Sequence, residues 1–348
     1  MMAFTQRGVE LAVDLAGALR RAGDEVVVCG TGAHVTHAGV RACTSLADWC
    51  SLAFARADAL LFVGACGIAV RAIAPHVRDK FCDPAVVCVD EAATFAVPLL
   101  GGHVAGANDL ARRVADACGA QAVVTTATDV RGVFAFDAWA AAQGVAVLDR
   151  AAAKEVSATL LAGGRVGLAC DVAVDGPLPV GVVTGAEAED CEVGVCVTLD
   201  VRRKPFARTL RLVPRVVVVG VGCRRGVDAQ VIGAAVNASL DEAHVPVQAV
   251  CALATIDRKA DEPGLRELAA WHGWELRTFR AERLRAVPGD FAESAFVREQ
   301  VGVGNVCERA ACATGAQLLL GKRSQAGVTV AIAATEPHVT FASETEEP

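Results

Sequence analysis

Short apolar runs alternate with helical patterns from the start of the chain. The runs VVVCG, ALLFVG, AVVCVD, FAVPLL and AVVTT are rich in β-branched residues and bounded by Gly, Asp or Pro. Between several of them, apolar positions recur at helical spacing, as in residues 9–21 and 109–118. This alternation predicts an α/β domain with a largely parallel sheet over residues 1–130.

The pattern changes over residues 131–212. Ala-rich helical stretches at 138–144 and 151–161 precede the strand-like runs VGLACDVAV, PVGVV and CEVGVCVTL. Gly, Pro and acidic residues separate those runs, and the basic segment VRRKPFARTLRLVPR follows as a linker or an edge. We interpret this part as a small middle region of the α+β type.

A second α/β pattern covers residues 213–340. VVVVGVG precedes a helix that ends near Leu240, QAVCALAT and VTVAIAAT are further strands, and helices are predicted near 264–271, 292–300 and 309–320. The predicted fold class is therefore α/β, with two α/β domains of largely parallel sheets joined by the small middle region.

Composition limits the class of protein. Of the 348 residues, 53% are hydrophobic and 21% are charged, so the chain can bury large cores. No apolar run reaches the ~18 residues of a membrane span, and the first residues resemble a strand and a helix rather than a signal peptide. The cysteines lie mostly in apolar runs and form no Cys-x-x-Cys pair, as in a reduced cytoplasm. We expect a cytoplasmic protein without a membrane segment.

The net charge of −7 argues against nonspecific nucleic-acid binding, which needs a broad basic surface. Local basic clusters at residues 78–80, 202–204 and 224–225 still allow a small polyanion to bind. Each cluster taken singly is more readily explained as a solvated surface.

The segment VVVVGVGCRRG places glycines and two arginines at the end of a predicted strand. Its glycine spacing, G-x-G-x-x-x-G, is one residue longer than a dinucleotide fingerprint, so a nicotinamide site is not expected. Glycine permits close backbone approach, and arginines pair with carboxylates or phosphates. The candidate binding residues are Gly222, Cys223, Arg224 and Arg225. The alternative is a glycine turn with solvated arginines.

Two other features keep alternatives open. In GVGNVCERAACATGA, Glu308 has two interpretations: it contacts a ligand, or it only complements the dipole of the helix in whose first turn it lies. His34 and His37 lie in a glycine loop, but no Cys or acidic residue follows at ligand spacing. We therefore expect no protein-bound metal.

Polar residues follow the ends of three predicted strands in the first domain. Asp90 and Glu91 follow AVVCV, Gly101 to His103 follow FAVPLL, and residues 125–129 follow AVVTT. Because carboxyl ends of parallel strands share one edge, we expect these groups to share one crevice. A base, an acid and backbone donors are what hydrolytic attack by water needs. Taken singly, each of these residues is more readily explained by structure, Asp90 as a turn residue at a strand end and Asp109 as a residue that starts a helix.

These motifs resemble a known family. GIAVRAIAPHVRDKFCDPAVVCVDE, LLGGHVAGANDLA and VVTTATDV resemble the N-terminal part of the cobalt-precorrin-5A hydrolase family (CbiG) of anaerobic cobalamin biosynthesis. VVVVGVGCRRG, ATIDRKADEPGL, ESAFV and GVGNVCERAA resemble its C-terminal domain, in the family's order. The middle region matches only in kind. Two departures are small: Ala254-Thr255 stands where a serine is expected, and Cys307-Glu-Arg replaces a less polar variant.

The resemblance implies a reaction. The substrate would be a cobalt-bearing, ring-contracted tetrapyrrole with a δ-lactone, which water opens while a two-carbon unit leaves as acetaldehyde to give cobalt-precorrin-5B. No cofactor is implied, because cobalt arrives inside the substrate. The C-terminal domain resembles a stand-alone protein of the aerobic pathway, where this hydrolysis does not occur. By analogy, the N-terminal domain holds the hydrolysis and the C-terminal domain helps to bind the macrocycle.

The candidate site residues follow from the motifs and the resemblance together. His103 is the predicted general base or acid, and Glu91 is the second catalytic candidate. The substrate-binding candidates of the first domain are Arg71, Lys80, Gly101, Gly102, Gly106, Asn108, Thr125 and Thr126. The cationic residues among them, with Arg224 and Arg225, would pair with carboxylates of the macrocycle.

Partners are predicted on the same basis. We expect a cobalt-corrinoid small molecule as the ligand and no nucleic acid. A homodimer and transient contacts with other enzymes of the pathway are further expectations. The alternative function is a non-catalytic module that binds corrinoid intermediates and transfers them between enzymes of the same pathway.

Overall fold

The computed structural model describes residues 1–32, 37–80 and 82–342. The chain forms two compact units, Met1–Ala141 and Ala142–Pro348. The finer division at residues 130 and 212 stays a prediction. Across the described ranges, no helix is both long enough and apolar enough to span a membrane.

The first unit alternates strands and helices, as the hydrophobic pattern predicts. Its strands are β1 (Met2–Ala3), β2 (Cys29–Thr31), β3 (Arg41–Cys43), β4 (Ala59–Val63), β5 (Ala85–Val89), β6 (Phe95–Leu100) and β7 (Gln121–Ala122). Its helices are α1 (Gln6–Arg21), α2 (Leu46–Arg56), α3 (Cys66–Ile73), α4 (Ala107–Cys118), α5 (Ala127–Arg131) and α6 (Phe136–Ala142). The predicted strand AVVTT is largely absent, because β7 ends at Ala122.

One sheet in the order β3-β2-β1-β4-β5-β6-β7 forms the centre of this unit. Neighbouring strands are parallel except for β5 and β6, which pair antiparallel with Val86 opposite Leu100. Only residues 90–94 connect these two strands, and a parallel crossover needs about a dozen residues or more. The short connection therefore reverses β6 relative to β5.

The core lies on both faces of this sheet. All five residues of β5 are buried, and they alternate between the two layers. Val87 and Val89 pack in a cluster with residues of α1 and α4, while Val86 and Cys88 pack with residues of α2 and α3. The result is a three-layer α/β arrangement, typical of strands buried on both faces.

The described residues of the second unit form three sheets. Its strands are β8 (Val145–Val147), β9 (Val166–Cys170), β10 (Ala173–Asp175), β11 (Val182–Val183), β12 (Val193–Val197), β13 (Arg208–Pro214), β14 (Val217–Cys223), β15 (Val250–Ile256), β16 (Glu275–Phe279), β17 (Gln317–Gln325), β18 (Val328–Ala334) and β19 (His338–Thr340). Its helices are α7 (Arg150–Leu161), α8 (Ala186–Glu189), α9 (Ala229–Glu242), α10 (Pro263–His272), α11 (Ala281–Arg285), α12 (Ala295–Val301) and α13 (Cys307–Cys312).

The strand orders are β11-β9-β12-β13-β8, β16-β15-β14-β18-β17 and the pair β10-β19. The second of these sheets is parallel from β16 to β14 and antiparallel at the β17–β18 hairpin. The predicted helix over 309–320 is wrong in its second half, since α13 ends at Cys312 and β17 begins at Gln317. The apolar run LLL in β17 pairs with β18 instead of continuing the helix.

Gly220 of the VVVVGVG strand allows α13 to lie directly on the sheet. A Cβ atom at this position would come within 1.8 Å of the Cys307 carbonyl oxygen and 2.9 Å of the Ala311 backbone nitrogen. Both obstacles are backbone atoms, which do not move aside like the end of a flexible side chain. The glycine therefore serves packing, not ligand approach.

We expect Gly220→Ala to lower the free energy of unfolding by about 3 kcal/mol or more, because the added methyl overlaps backbone atoms. Gly233→Ala in α9 is the matched control, since its Cβ would meet only the terminal Cδ1 of Leu268, at 3.2 Å. The control should change stability by less than about 1 kcal/mol. Urea unfolding followed by circular dichroism measures both, and equal midpoints would contradict the packing argument.

Candidate functional site

The loop between β6 and α4 carries His103 in a fixed backbone conformation. Gly101 and Gly106 have φ angles of 72° and 78°, in the left-handed region that favours glycine. The Ala107 and Asn108 backbone N–H groups donate to the carbonyls of Gly101 and Gly102, each at 3.0 Å. These bonds fold the loop back onto the start of α4, so the histidine projects from a constrained turn.

The His103 ring lies between two carboxylates. Its Nε2 is 2.7 Å from Asp129 Oδ2, and its Nδ1 is 3.5 Å from Asp137 Oδ1. The Thr128 hydroxyl is 3.1 Å from the same Nε2. Lys80 Nζ lies 3.4 Å from the second oxygen of Asp137. Groups from three separate segments of the first unit therefore meet at this imidazole.

Asp129 is held by several donors besides the histidine. Its Oδ2 accepts hydrogen bonds from Asn108 Nδ2 at 3.0 Å and from Thr126 Oγ1 at 2.8 Å. Its Oδ1 accepts from Arg112 at 2.5 Å. Asn108 is 4% exposed and also donates to Thr126. Asn108 and Thr126 therefore orient the carboxylate.

Charge neighbours make His103 a stronger base than an ordinary histidine. The largest contribution is the hydrogen bond with Asp137, which raises the pKa of His103. Burial opposes this effect, while Asp129 adds to it. The Asp137 side chain is 10% exposed and that of Asp129 is 20% exposed, so Asp137 is the less screened of the two although its oxygen is farther away. The protonated ring is thus favoured, with a donor on each nitrogen.

The two carboxylates respond in the opposite direction. Burial raises the pKa of Asp129, but hydrogen bonds from His103, Arg112 and Thr126 outweigh it and bring the pKa to about 2. Burial also opposes the shift at Asp137, where the His103 hydrogen bond and the Lys80 charge lower the pKa. Both groups are therefore ionised at neutral pH.

A cavity of about 300 Å³ opens beside this cluster. Its lining includes the groups that face Nε2 of the histidine, namely Thr128 and Asp129, together with Arg112. The remaining lining residues are Gly102, His103, Asn108, Asp109, Gly132, Val133, Ala135 and Ala138. The cavity therefore exposes a proton donor, a carboxylate and a guanidinium to a small polar group of a ligand.

The expectation that Glu91 and His103 share one edge is wrong. β6 runs antiparallel to β5, so the carboxyl end of β6 lies beside Ala85 at the start of β5, whereas Glu91 follows the end of β5. Glu91 Oε2 instead accepts a hydrogen bond from Thr5 Oγ1 at 2.6 Å. Thr5 in turn accepts from Gly8 N at the start of α1, so Glu91 braces that helix.

The remaining candidates of the first unit divide into two groups. Lys80 reaches the histidine cluster through Asp137. Arg71 is exposed in α3, where its guanidinium donates to the Gly67 carbonyl of its own helix. Thr125 is exposed beside Thr126. His34 lies outside the described residues.

The candidates of the second unit lie around another cavity. Gly222, Cys223, Arg224 and Arg225 are lining residues of a cavity of about 490 Å³ at the end of β14. Glu308 lies behind it, 4% exposed, and its carboxylate accepts from the backbone N–H groups of Ala292 and Lys322 and from Asn305. Its oxygens are thus taken up by the protein, and Glu308 ties loop, helix and strand together.

Three members of the histidine cluster were missed as site residues by the sequence reasoning. Asp129 is the last residue of Thr126-Ala-Thr-Asp, which reads as a capping box, but its side chain bonds to Thr126 Oγ1 and not to the cap backbone. Asp137 opens the helix FDAWAAA and resembles an acid that complements the helix dipole. Arg112 resembles a solvated helix residue. No short sequence signal joins these segments to His103.

Three family models match the chain in consecutive segments. They are described as cobalamin synthesis G N-terminal (residues 48–129), cobalamin biosynthesis central region (134–214) and cobalamin synthesis G C-terminus (217–333).

Curated relatives cover most of the chain. The cobalt-precorrin-5A hydrolase of Salmonella typhimurium LT2 is 38% identical over 293 residues, which are 80% of this chain and 83% of that protein. The cobalt-precorrin-5A hydrolase of Priestia megaterium is 31% identical over 79% of this chain and 78% of its own length. A crystal structure of a cobalamin biosynthesis protein G homolog from Sulfolobus solfataricus is 17% identical, covers 96% of both chains and has a TM-score of 0.43.

The His103 ring should titrate above the ordinary histidine value of 6.5, because two carboxylates stabilise its charged form. Asp137→Asn removes the largest of these contributions and should lower the pKa of His103. Two-dimensional ¹H–¹⁵N spectra of the imidazole nitrogens measure this titration. Asp116→Asn, on the exposed side of α4, is the control and should leave it unchanged. An unaltered His103 titration in Asp137→Asn would refute the assignment.

Proposed function

Because the chain belongs to the cobalt-precorrin-5A hydrolase family, we propose that it opens the δ-lactone of cobalt-precorrin-5A with water and releases acetaldehyde to give cobalt-precorrin-5B. The observation that carries the assignment of the site is the His103 imidazole, held between two carboxylates at the wall of a cavity. The corrinoid macrocycle is the substrate, and its cobalt enters with it, so the proposal needs no resident metal or cofactor.

Hydrolysis of a lactone needs a proton for the ring oxygen that departs as the acyl bond breaks. The raised pKa of His103 favours the protonated ring, and Nε2 lies on the side of the cavity-lining Thr128 and Asp129. His103 therefore acts as the general acid, delivering the Nε2 proton to the departing oxygen. Water adds to the carbonyl and the acyl C–O bond breaks; the deprotonated Nε2 then takes up the proton that the added water leaves on the new carboxylic acid, which restores the acid form of the ring.

The neighbours of His103 have separate tasks in this mechanism. Asp129, with a pKa of about 2, stays ionised and orients Nε2 without supplying a proton itself. Asp137 holds Nδ1 from the other side of the ring and stabilises the imidazolium, while Lys80 holds Asp137. Arg112 also lines the cavity, where its guanidinium pairs with Asp109 and Asp129 and holds Asp129 in place.

The glycine loop contributes shape more than hydrogen bonds. Gly102 lines the cavity with no side chain, and a Cβ there would come within 3.0 Å of Asn108 Oδ1. Asn108 and Thr126, which we expected to bind the lactone directly, act instead through Asp129. A cytoplasmic location, a homodimer and transient contacts with other enzymes of the pathway stay predictions.

The activity is tested by anaerobic incubation with cobalt-precorrin-5A, with acetaldehyde followed through a coupled alcohol dehydrogenase. The cobalt-free analogue serves as the control for the role of the metal in the substrate. Acetaldehyde release in proportion to enzyme supports the proposal. Tight binding of several corrinoid intermediates with no acetaldehyde from any would favour a transfer module instead.

We expect His103→Ala to lower the rate of acetaldehyde release by about 100-fold to 10,000-fold, since the proton donor is removed. Corrinoid binding should persist. His338→Ala is the matched control, because His338 also lies 2.7 Å from a carboxylate, that of Asp175, but on the second unit. Near-normal turnover in His103→Ala would remove this residue from the mechanism.

The rate should fall as pH rises through the pKa of His103, because the acid form is then lost. Asp137→Asn lowers that pKa and should move this alkaline limb to lower pH, which a purely structural role would not do. The measurement is the pH profile of kcat/KM for both proteins. An alkaline limb at the same pH in both would show that another group is the acid.

A further inference from the structure

We propose that the cavity at the end of β14, in the second unit, binds the carboxylates of an organic polyanion with an apolar framework. The cavity is built from segments far apart in sequence, and nothing in the lactone chemistry at His103 requires it. Identifying the polyanion as the corrinoid substrate rests on the proposed function.

The first observation is the charge of the lining. Among the described residues, five cations line the cavity, from the turn after β14, the turn after β15 and strand β17: Arg224, Arg225, Arg258, Lys259 and Lys322. No carboxylate is among the described residues that line it. In a chain with a net charge of −7, this concentration of positive charge is local and marks a site for an anion.

The second observation is that several of these cations are available. Lys259 is engaged, since its Nζ lies 2.7 Å from Glu262 Oε2. Within the described residues, the side chains of Arg224, Arg225 and Lys322 have neither an ion pair nor a hydrogen bond, although the charge of Arg225 helps to lower the pKa of Glu262. Unpaired guanidinium groups at a cavity wall are well suited to bidentate contacts with carboxylates.

The third observation is an apolar wall beside the charges. Ile256, Val301 and Val306 contribute apolar side chains to the same cavity. The hydroxyls of Thr255 and Thr329 donate to the carbonyls of Val221 and Gly222, at 2.7 and 3.1 Å, and so are already used. Recognition of the anion therefore falls to the cations, while the valines and isoleucine face an apolar body.

The arrangement favours separate carboxylates over one phosphate. Phosphate sites in α/β proteins commonly use the free N–H groups at the start of a helix. Here the carboxylate of Asp228 caps α9 and accepts from Gln230 N at 2.7 Å, so a negative charge already stands there. The cations are spread over three segments and would engage several anionic groups at different points of one ligand.

Calorimetric titration of the full chain with cobyrinic acid, a stable corrinoid with free side-chain carboxylates, tests the proposal. Its fully methyl-esterified form has the same macrocycle without these charges and is the matched ligand control. We expect the free acid to bind at least about 10-fold more tightly than the ester. Equal affinities would overturn the proposal.

Variants locate the binding. The double change Arg224→Gln with Arg225→Gln should weaken cobyrinic acid binding by about 10-fold to 100-fold, and Lys322→Gln by a smaller factor. Arg165→Gln is the control, since this arginine pairs with Glu187 elsewhere on the second unit. Unchanged affinity in the double variant, or full displacement of cobyrinic acid by equimolar inorganic phosphate, would overturn the proposal.

The two proposals fail separately. If no acetaldehyde is released but cobyrinic acid binding still depends on Arg224 and Arg225, the binding site stands and the hydrolase proposal falls. If acetaldehyde is released while the double variant binds and turns over normally, the hydrolase stands and this site falls. His103→Ala should bind cobyrinic acid as the unaltered chain does.

Discussion

The candidate site depends on the reversal of the chain between β5 and β6. The Asp90 carboxylate accepts hydrogen bonds from the backbone N–H groups of Ala92, Thr94 and Phe95. These hydrogen bonds close the turn after which β6 runs antiparallel to β5. Had β6 been parallel, Gly101 to His103 would have followed the same edge as Glu91. Instead the loop arrives at the start of β5, beside the segment that carries Lys80. The parallel β7 then brings Thr126 and Asp129 to the same edge as this loop.

At that edge the charges balance in pairs. Asp129 forms an ion pair with Arg112, and Asp137 forms one with Lys80. His103 lies between the two carboxylates. A partly buried charge is costly without a partner, so each member is needed to hold the others in their ionised forms. The same constraint gives the imidazole two fixed hydrogen-bond partners and leaves Nε2 as the nitrogen on the cavity side. Stability and the proposed proton transfer therefore rest on the same contacts.

The sequence predicted that FAVPLL is a strand but not that this strand runs antiparallel to its neighbour β5. FAVPLL forms the strand β6, and the residues predicted to follow its end form the loop that carries His103. Alternation of apolar residues predicts that a strand exists, but it does not say which way the strand runs. The length of the DEAAT connection gives the direction of β6, because five residues permit a hairpin but are too few for a parallel crossover. Applied to the sequence, that rule would have separated Glu91 from His103.

Partners at long range are a harder problem. Asp137 lies 34 positions from His103 in a sequence whose local pattern is that of an ordinary helix start. Lys322 sits in a segment where Leu318 to Leu320 favoured a helix, and its place beside Arg224 follows only from the β17–β18 hairpin. For Asp137 and Lys322 alike, the role of the charge depends on the groups that the fold places opposite it. At the His103 cluster, Lys80 and Arg112 face carboxylates and are neutralised, whereas Arg224, Arg225 and Lys322 in the second unit face a cavity. Paired charges suit a group that must hold and release a proton, and unpaired ones suit an anionic ligand, so the two cavities are chemically distinct although neither net charge nor composition separates them.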